Sequence, residues 1–210
     1  MYEGQQLYAR DGHQVALFPL ASLSVTQGYG PETYSHCCGA PMDFARTIEH
    51  TPLYAPFDMH RTYYYTGGGN GRMYASDREV WTPLGLMYVS ILVVHDNNPP
   101  TATQFQQGQI FAHTGTAGNV QGEHVHIETA EGVQDSQITS SITCRGGTAR
   151  CDYIANYRAP NLLLFVNDTT IINNGGYDWQ TYSGGIPHYS ERGLSLIKKW
   201  YACNNIRGRM

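Results

Sequence analysis

The clearest hydrophobic pattern runs from Leu86 to His95, Leu-Met-Tyr-Val-Ser-Ile-Leu-Val-Val-His. It is a nearly continuous apolar run rich in β-branched residues, the pattern of a strand covered on both faces. It ends at His95, where Asp96-Asn97-Asn98-Pro99-Pro100 signals a loop. A second pattern is a strict alternation inside Gly122–Ala130: His124 and His126 against Val125 and Ile127. Period two is the period of a strand and puts residues i and i+2 on one face. Two imidazoles then project side by side, roughly 6–7 Å apart at the backbone. Glu128 falls on the same face and can hold one of them.

Weaker patterns fill the rest of the chain. Val15–Leu20 predicts a leading strand or a packed loop, and Ser24–Gln27 a strand entering the turn Gly28-Tyr29-Gly30. Residues 52–58 carry prolines that restrict them to extended or turn conformations. Residues 61–65 and 72–81 read as strands around the loop 66–71, and residues 107–111 lead towards the histidine strand. Beyond Ala130 the texture changes. Residues 132–150, rich in Ser, Thr and Gly, predict an exposed loop or insertion, and 160–172 form a second apolar stretch. Leu194, Ile197, Trp200 and Tyr201 have helical spacing and predict one short C-terminal helix packed on the core. There is no internal repeat. The expected fold class is mainly β, with residues 1–130 as the core and 131–210 as a loop-rich extension that completes or is appended to the same domain.

Composition narrows this further. The chain has 210 residues, enough for one large domain. Only 14% are charged, with 23 Gly and 16 Tyr, which suits a β-rich, loop-rich protein. Net charge is −4 and Lys and Arg form no run, which argues against nucleic acid as a partner and is compatible with a neutral polymer substrate. No apolar run approaches the ~20 residues that cross a membrane, so no membrane association is expected. Met1-Tyr2-Glu3-Gly4 lacks the basic and apolar regions of a signal peptide. An outward-acting protein would then stay in the producing cytoplasm until released, or travel in a particle. The cysteines are Cys37, Cys38, Cys144, Cys151 and Cys203. Their spacing fits no four-ligand zinc knuckle. Cys144 and Cys151 could close a small hairpin by a disulfide, though a reducing cytosol would leave them thiols.

An isolated His-x-His on a strand is more often a solvent-facing pair than a site. Upstream, His36 and Asp43 add a third imidazole and a carboxylate. Two neutral imidazoles and one carboxylate suit zinc in a catalytic site, which keeps a coordination position open. They leave a net charge of +1 that can polarise a carbonyl. Nine histidines offer other combinations, so spacing alone does not choose among them.

Several segments occur in the order seen in lysostaphin-type zinc endopeptidases. They are Ser35-His36 with Asp43-Phe44-Ala45, Tyr54-Ala55-Pro56, Val94-His95-Asp96, Gly108-Gln109, Gly115-Thr116-Ala117-Gly118 and Gly122-Glu123-His124-Val125-His126-Ile127-Glu128. Over residues 22–130 the chain resembles that family of peptidoglycan hydrolases. Six residues separate His36 from Asp43, where the most familiar members have three, and this resembles the branch of phage endolysins and virion-associated lysins. The resemblance implies a folded antiparallel β-sheet with a zinc-containing groove. It implies His36, Asp43 and His126 as Zn2+ ligands, His95 and His124 as the catalytic pair, and Tyr29 as a residue that steadies the oxyanion. The implied substrate is a bacterial peptidoglycan stem or cross-bridge peptide, cut by a monomer or by part of a phage particle. The rival reading is a non-catalytic wall-binding or structural virion module with a degenerate site. A third reading is a zinc hydrolase with another substrate. All five expected positions are filled, which favours activity. His13, His50, His60 and His188 carry no more than surface or packing roles, while His113 lies near enough in sequence to remain an alternative.

Overall fold

A computed structural model describes residues 1–45, 49–145 and 147–182. Its strands are β1 (Ser22–Gln27), β2 (Met42–Phe44), β3 (Pro52–Tyr54), β4 (Met59–Tyr64), β5 (Arg72–Ser76), β6 (Val80–Thr82), β7 (Gly85–Met87) and β8 (Val89–Val94). They continue as β9 (Gln104–Phe105), β10 (Ile110–His113), β11 (Val125–Glu131), β12 (Gln137–Cys144), β13 (Gly147–Ile154), β14 (Tyr157–Arg158) and β15 (Thr170–Asn173). One helical turn, α1 (Pro160–Leu163), precedes β15. The chain is mainly β, as its patterning predicts. No helix among the described residues is long and apolar enough to cross a membrane.

The principal sheet has the order β15-β1-β2-β11-β8-β5-β4-β9, with β14 pairing the far end of β11. Its pairs are antiparallel except β1 with β15. All six residues of β8 are buried. Val89, Ile91 and Val93 face the large core with Phe18, Phe44, Tyr74, Phe111 and Trp179. Leu92 and Val94 face a second cluster with Met73, Ala130 and Ile154. Both faces are covered, so the run does not alternate. Rings of Phe18, Phe44 and Trp179 meet edge-on with centroids 5.0–5.9 Å apart, tying three distant parts of the chain into one core.

Three local expectations are corrected. The apolar run splits: Gly85–Met87 forms β7, hairpinned to β6, and β8 starts at Val89. Residues 72–81 likewise split into β5 and β6. Residues 132–150 are not a loop: β12 and β13 form a regular hairpin from Gln137↔Ile154 to Cys144↔Gly147. Its outward positions are exposed, and that is why it reads as polar sequence. The apolar stretch 160–172 is shared by α1, a bridge from Leu17 to Phe165 and β15. The predicted helix at 194–201, His188 and Cys203 lie outside the described residues.

The cysteine pairing is also corrected. Cys144 pairs in register with Gly147 and Cys151 with Ser140, so the two cysteines do not face each other across the hairpin. Instead Cys37 bonds to Cys144 and Cys38 to Cys151. The hairpin is thereby stitched to the loop that carries His36. A non-reduced tryptic map should therefore show the peptide 11–46 linked to peptides containing both Cys144 and Cys151. A bridge between Cys144 and Cys151, with two free thiols on peptide 11–46, would refute this pairing.

Candidate metal centre

Sheet register builds the site. Strand β11 runs between β2 and β8, and His126 lies opposite Asp43 on one side and Val94 on the other. Cross-strand partners stand about 5 Å apart, and here the Asp43 carboxylate Oδ1 lies 3.1 Å from His126 Nδ1. His95 follows Val94 and so arrives beside His126. It turns there through a positive φ of 86°, a conformation non-glycine residues seldom adopt. Its backbone amide donates to the Gly69 carbonyl at 2.7 Å, and its carbonyl accepts from Ala117 at 3.0 Å. Gly115 packs against that carbonyl where a Cβ would overlap it. His124 precedes β11 and pairs with Gly115 in an isolated antiparallel bridge. His36 enters from the loop between β1 and β2.

Three of the four imidazoles are oriented the same way. Nδ1 of His36 lies 3.0 Å from the Gly28 carbonyl, Nδ1 of His95 2.8 Å from that of Ala117, and Nδ1 of His124 3.0 Å from that of Gly122. A carbonyl only accepts, so each Nδ1 carries the hydrogen, and in the neutral ring Nε2 keeps its lone pair. Nε2 of His36 reaches Asp43 Oδ1 at 3.4 Å, and Nε2 of His124 lies 3.8 Å from Oδ2. His126 is reversed: Nδ1 meets Asp43, while Nε2 meets Glu128 Oε1 at 3.1 Å. Glu128 is buried, and its other oxygen accepts the Ile154 amide at 2.8 Å. It is thus the partner of a candidate ligand, on the face its position predicts.

Burial and charge separate the groups. Burial pulls the pKa of His36 down to about 4, and that of His95 likewise to about 4. Burial opposes the charge of His126 too, but hydrogen bonds to Asp43 and Glu128 outweigh it and push the value up to about 10. Burial alone would raise Asp43. The hydrogen bond and charge of His126, followed by the charges of His36 and His124, hold it below the ordinary carboxylate value instead.

His36, Asp43 and His126 each offer a ligand atom, all within 4.8 Å of one another. Two donors bound at about 2.0–2.1 Å to one tetrahedral zinc stand roughly 3.3 Å apart. The separations of Asp43 Oδ1 from His36 Nε2 and His126 Nδ1, 3.4 and 3.1 Å, match that spacing. The donor chemistry also fits. Two nitrogens and a carboxylate oxygen converge, and Glu128 takes the second nitrogen of His126.

These groups floor a cleft of about 650 Å³. Its walls include Gln27, Tyr34, Asn119, Gln121 and Asp152 besides the histidines. Gln27 Nε2 donates to Ser35 Oγ at 2.9 Å and lies 3.4 Å from Asp43 Oδ2. Cys151 and Asp152 bring the hairpin into the wall, a contribution that the sequence reading missed. The signal available for it was two adjacent cysteines next to His36, matched by a second pair downstream. Tyr29 is not among the cleft-lining residues. Its ring stacks on Tyr177 with centroids 5.0 Å apart, and burial raises its pKa. His113 sits apart, with Nδ1 3.5 Å from Asp96. His13 and His60 pair with Asp11 and Asp77 elsewhere on the surface.

No protein-family model matches the chain. It is 29% identical over 175 residues to "Morphogenesis protein 1" of Bacillus phage B103, an alignment covering 81% of this chain and 45% of that protein. The chain thus spans less than half the length of that relative. Among solved structures, it is similar to LytU, with 20% identity, TM-score 0.45, and coverage of 67% of this chain and 83% of that one. It is also similar to a zinc-containing peptidase from Vibrio cholerae, with 15% identity, TM-score 0.40, and coverage of 68% and 42%. Lysostaphin from Staphylococcus simulans gives 18% identity, TM-score 0.38, and coverage of 57% and 49%.

Proposed function

We propose that the chain is a phage-encoded, zinc-dependent endopeptidase that hydrolyses peptide bonds in the stem or cross-bridge of bacterial peptidoglycan. The carrying observation is the convergence of His36, Asp43, His95, His124 and His126 on one cleft, with the ring orientations of His36, His95 and His124 set by backbone carbonyls. In this reading Nε2 of His36, the carboxylate of Asp43 and Nδ1 of His126 hold zinc. Bound zinc supplies a Lewis acid that polarises the scissile carbonyl and makes water a better nucleophile near neutral pH.

The remaining work belongs to the protein. His95 and His124, with ring centroids 4.6 Å apart, present Nε2 to the cleft. Nε2 of one accepts a proton from the attacking water and delivers it to the departing amine. The other ring, protonated on both nitrogens as an imidazolium, keeps Nδ1–H on its carbonyl and donates Nε2–H to the oxyanion that forms at the scissile carbonyl. The C–N bond breaks, a C–O bond forms, and the second proton of the water passes from the new carboxyl to the released amine, so the products are a carboxylate and an ammonium group. Tyr29, which packs on Tyr177 and is not among the cleft-lining residues, is given no contact with the oxyanion in this reading.

Digestion of purified peptidoglycan, with fragments read by mass spectrometry, tests the reading. Expected are new amino termini within the peptides and intact glycan strands, abolished by a chelator and restored by zinc. The second reading, a wall-binding or structural component of a virion, is favoured by the name of the phage relative. Tight wall binding with no released peptide, from zinc-loaded protein, would decide for it.

A further inference from the structure

Residues far beyond the histidine strand reach the site through one tyrosine. Tyr177 follows the two glycines Gly175 and Gly176, both at positive φ, in a turn that leaves β15. The turn is rooted on β1: Asn173 Nδ2 donates to the Val25 carbonyl at 2.8 Å, and the Tyr177 amide donates to the Asn174 carbonyl at 3.1 Å. From there the Tyr177 hydroxyl meets both backbone groups of a single residue. It accepts the Tyr29 N–H at 3.1 Å and donates to the Tyr29 carbonyl at 3.3 Å. The two rings also stack. A Cβ at Gly28 would overlap the Tyr177 hydroxyl, so glycine is required there by close approach rather than by φ.

The turn that Tyr177 clamps is the one that holds His36. The Gly28 carbonyl accepts His36 Nδ1–H at 3.0 Å, and the Gly30 amide donates to the His36 carbonyl at 2.9 Å. These contacts set which nitrogen of His36 is free and where it points. A groups-behind-the-ligand arrangement of this kind ordinarily controls metal affinity. Here the carbonyl itself must be held, because it lies in an irregular turn and not in a strand ladder.

We propose that Tyr177 is a positioning residue for metal ligation at His36, so that the segment after β15 belongs to the metal site. The proposal rests on the zinc-site reading above but not on the choice of substrate. Zinc affinity, measured by chelator competition at a temperature where far-UV circular dichroism shows each apo variant folded, is the test. Tyr177→Phe keeps the ring and loses both hydrogen bonds, and should weaken zinc about tenfold; Tyr177→Ala should weaken it by up to about 100-fold. Gly28→Ala should also weaken zinc, but by less in the Tyr177→Ala background, where the added methyl has room. That non-additivity marks a direct coupling rather than general destabilisation.

Wild-type affinity in both Tyr177 variants would overturn the proposal. If Tyr177→Ala fails to fold, Tyr177→Phe decides alone. Wild-type protein that binds no zinc would overturn the metal reading and this proposal together. Zinc bound with the predicted Tyr177 dependence, but no peptide released from peptidoglycan, would overturn only the proposed substrate.

Discussion

Alanine at His36, Asp43 or His126 is expected to remove both the metal and the activity. Each offers one of the three donor atoms of the proposed site, and two donors alone do not make a closed set around a small cation. Zinc content, read by elemental analysis after gel filtration, should fall from about one per chain to well below that. Hydrolysis should fall by about 10³-fold or more, since Lewis-acid stabilisation is worth several kcal/mol and each 1.36 kcal/mol is tenfold. Stability should change in step. A ligand that binds only the folded chain stabilises it by about 4 kcal/mol at 1,000 times its Kd, so a chelator should lower the melting temperature of the wild type. It should leave the melting temperature of the His126→Ala variant unchanged. Asp43→Asn adds a sharper comparison, because it keeps the shape and removes the charge that faces three imidazoles. Full activity in metal-free protein would end the mechanism.

The second large effect concerns His95 and His124. Alanine at either should leave zinc near one per chain while turnover drops by about 10²–10⁴-fold, the range for losing a positioned acid or base. The geometry gives the reason. His124 stands 3.8 Å from Asp43 through Nε2, outside the tight trio, and His95 meets the trio only through ring contacts with His126. Both therefore touch the cleft without completing the donor set. If His124→Ala loses zinc and His126→Ala keeps it, the roles within the pair are reversed. If His95→Ala retains wild-type turnover with zinc bound, its assignment fails. His113 would not then be the obvious replacement, since it faces Asp96.

Local patterning determined a definite part of this protein. The apolar run before His95 marked a doubly covered strand because Val89, Ile91 and Val93 meet one core and Leu92 and Val94 another. The alternation at 124–127 put two imidazoles on one side because strand geometry is a property of neighbouring residues. His36 and Asp43 were legible as candidates from residue type and from their order along the chain. Patterning did not show the hairpin at 137–154, since an exposed two-stranded ribbon buries too little to leave an alternating apolar signature.

Only the tertiary structure decided which candidates meet. Register between β2, β11 and β8 places Asp43 opposite His126 and His95 at its flank, and register follows from burying whole faces of the sheet, not from any one segment. The same holds for the cysteines. Cys144 and Cys151 are close in sequence, yet the loop of Cys37 and Cys38 is what folds against them. The choice of nitrogen on His36, His95 and His124 depended on the carbonyls of Gly28, Ala117 and Gly122, groups present in every residue and therefore silent in a sequence. Tyr177 contacts the turn of Tyr29 across 148 positions, a distance over which sequence carries no geometry until the chain has folded.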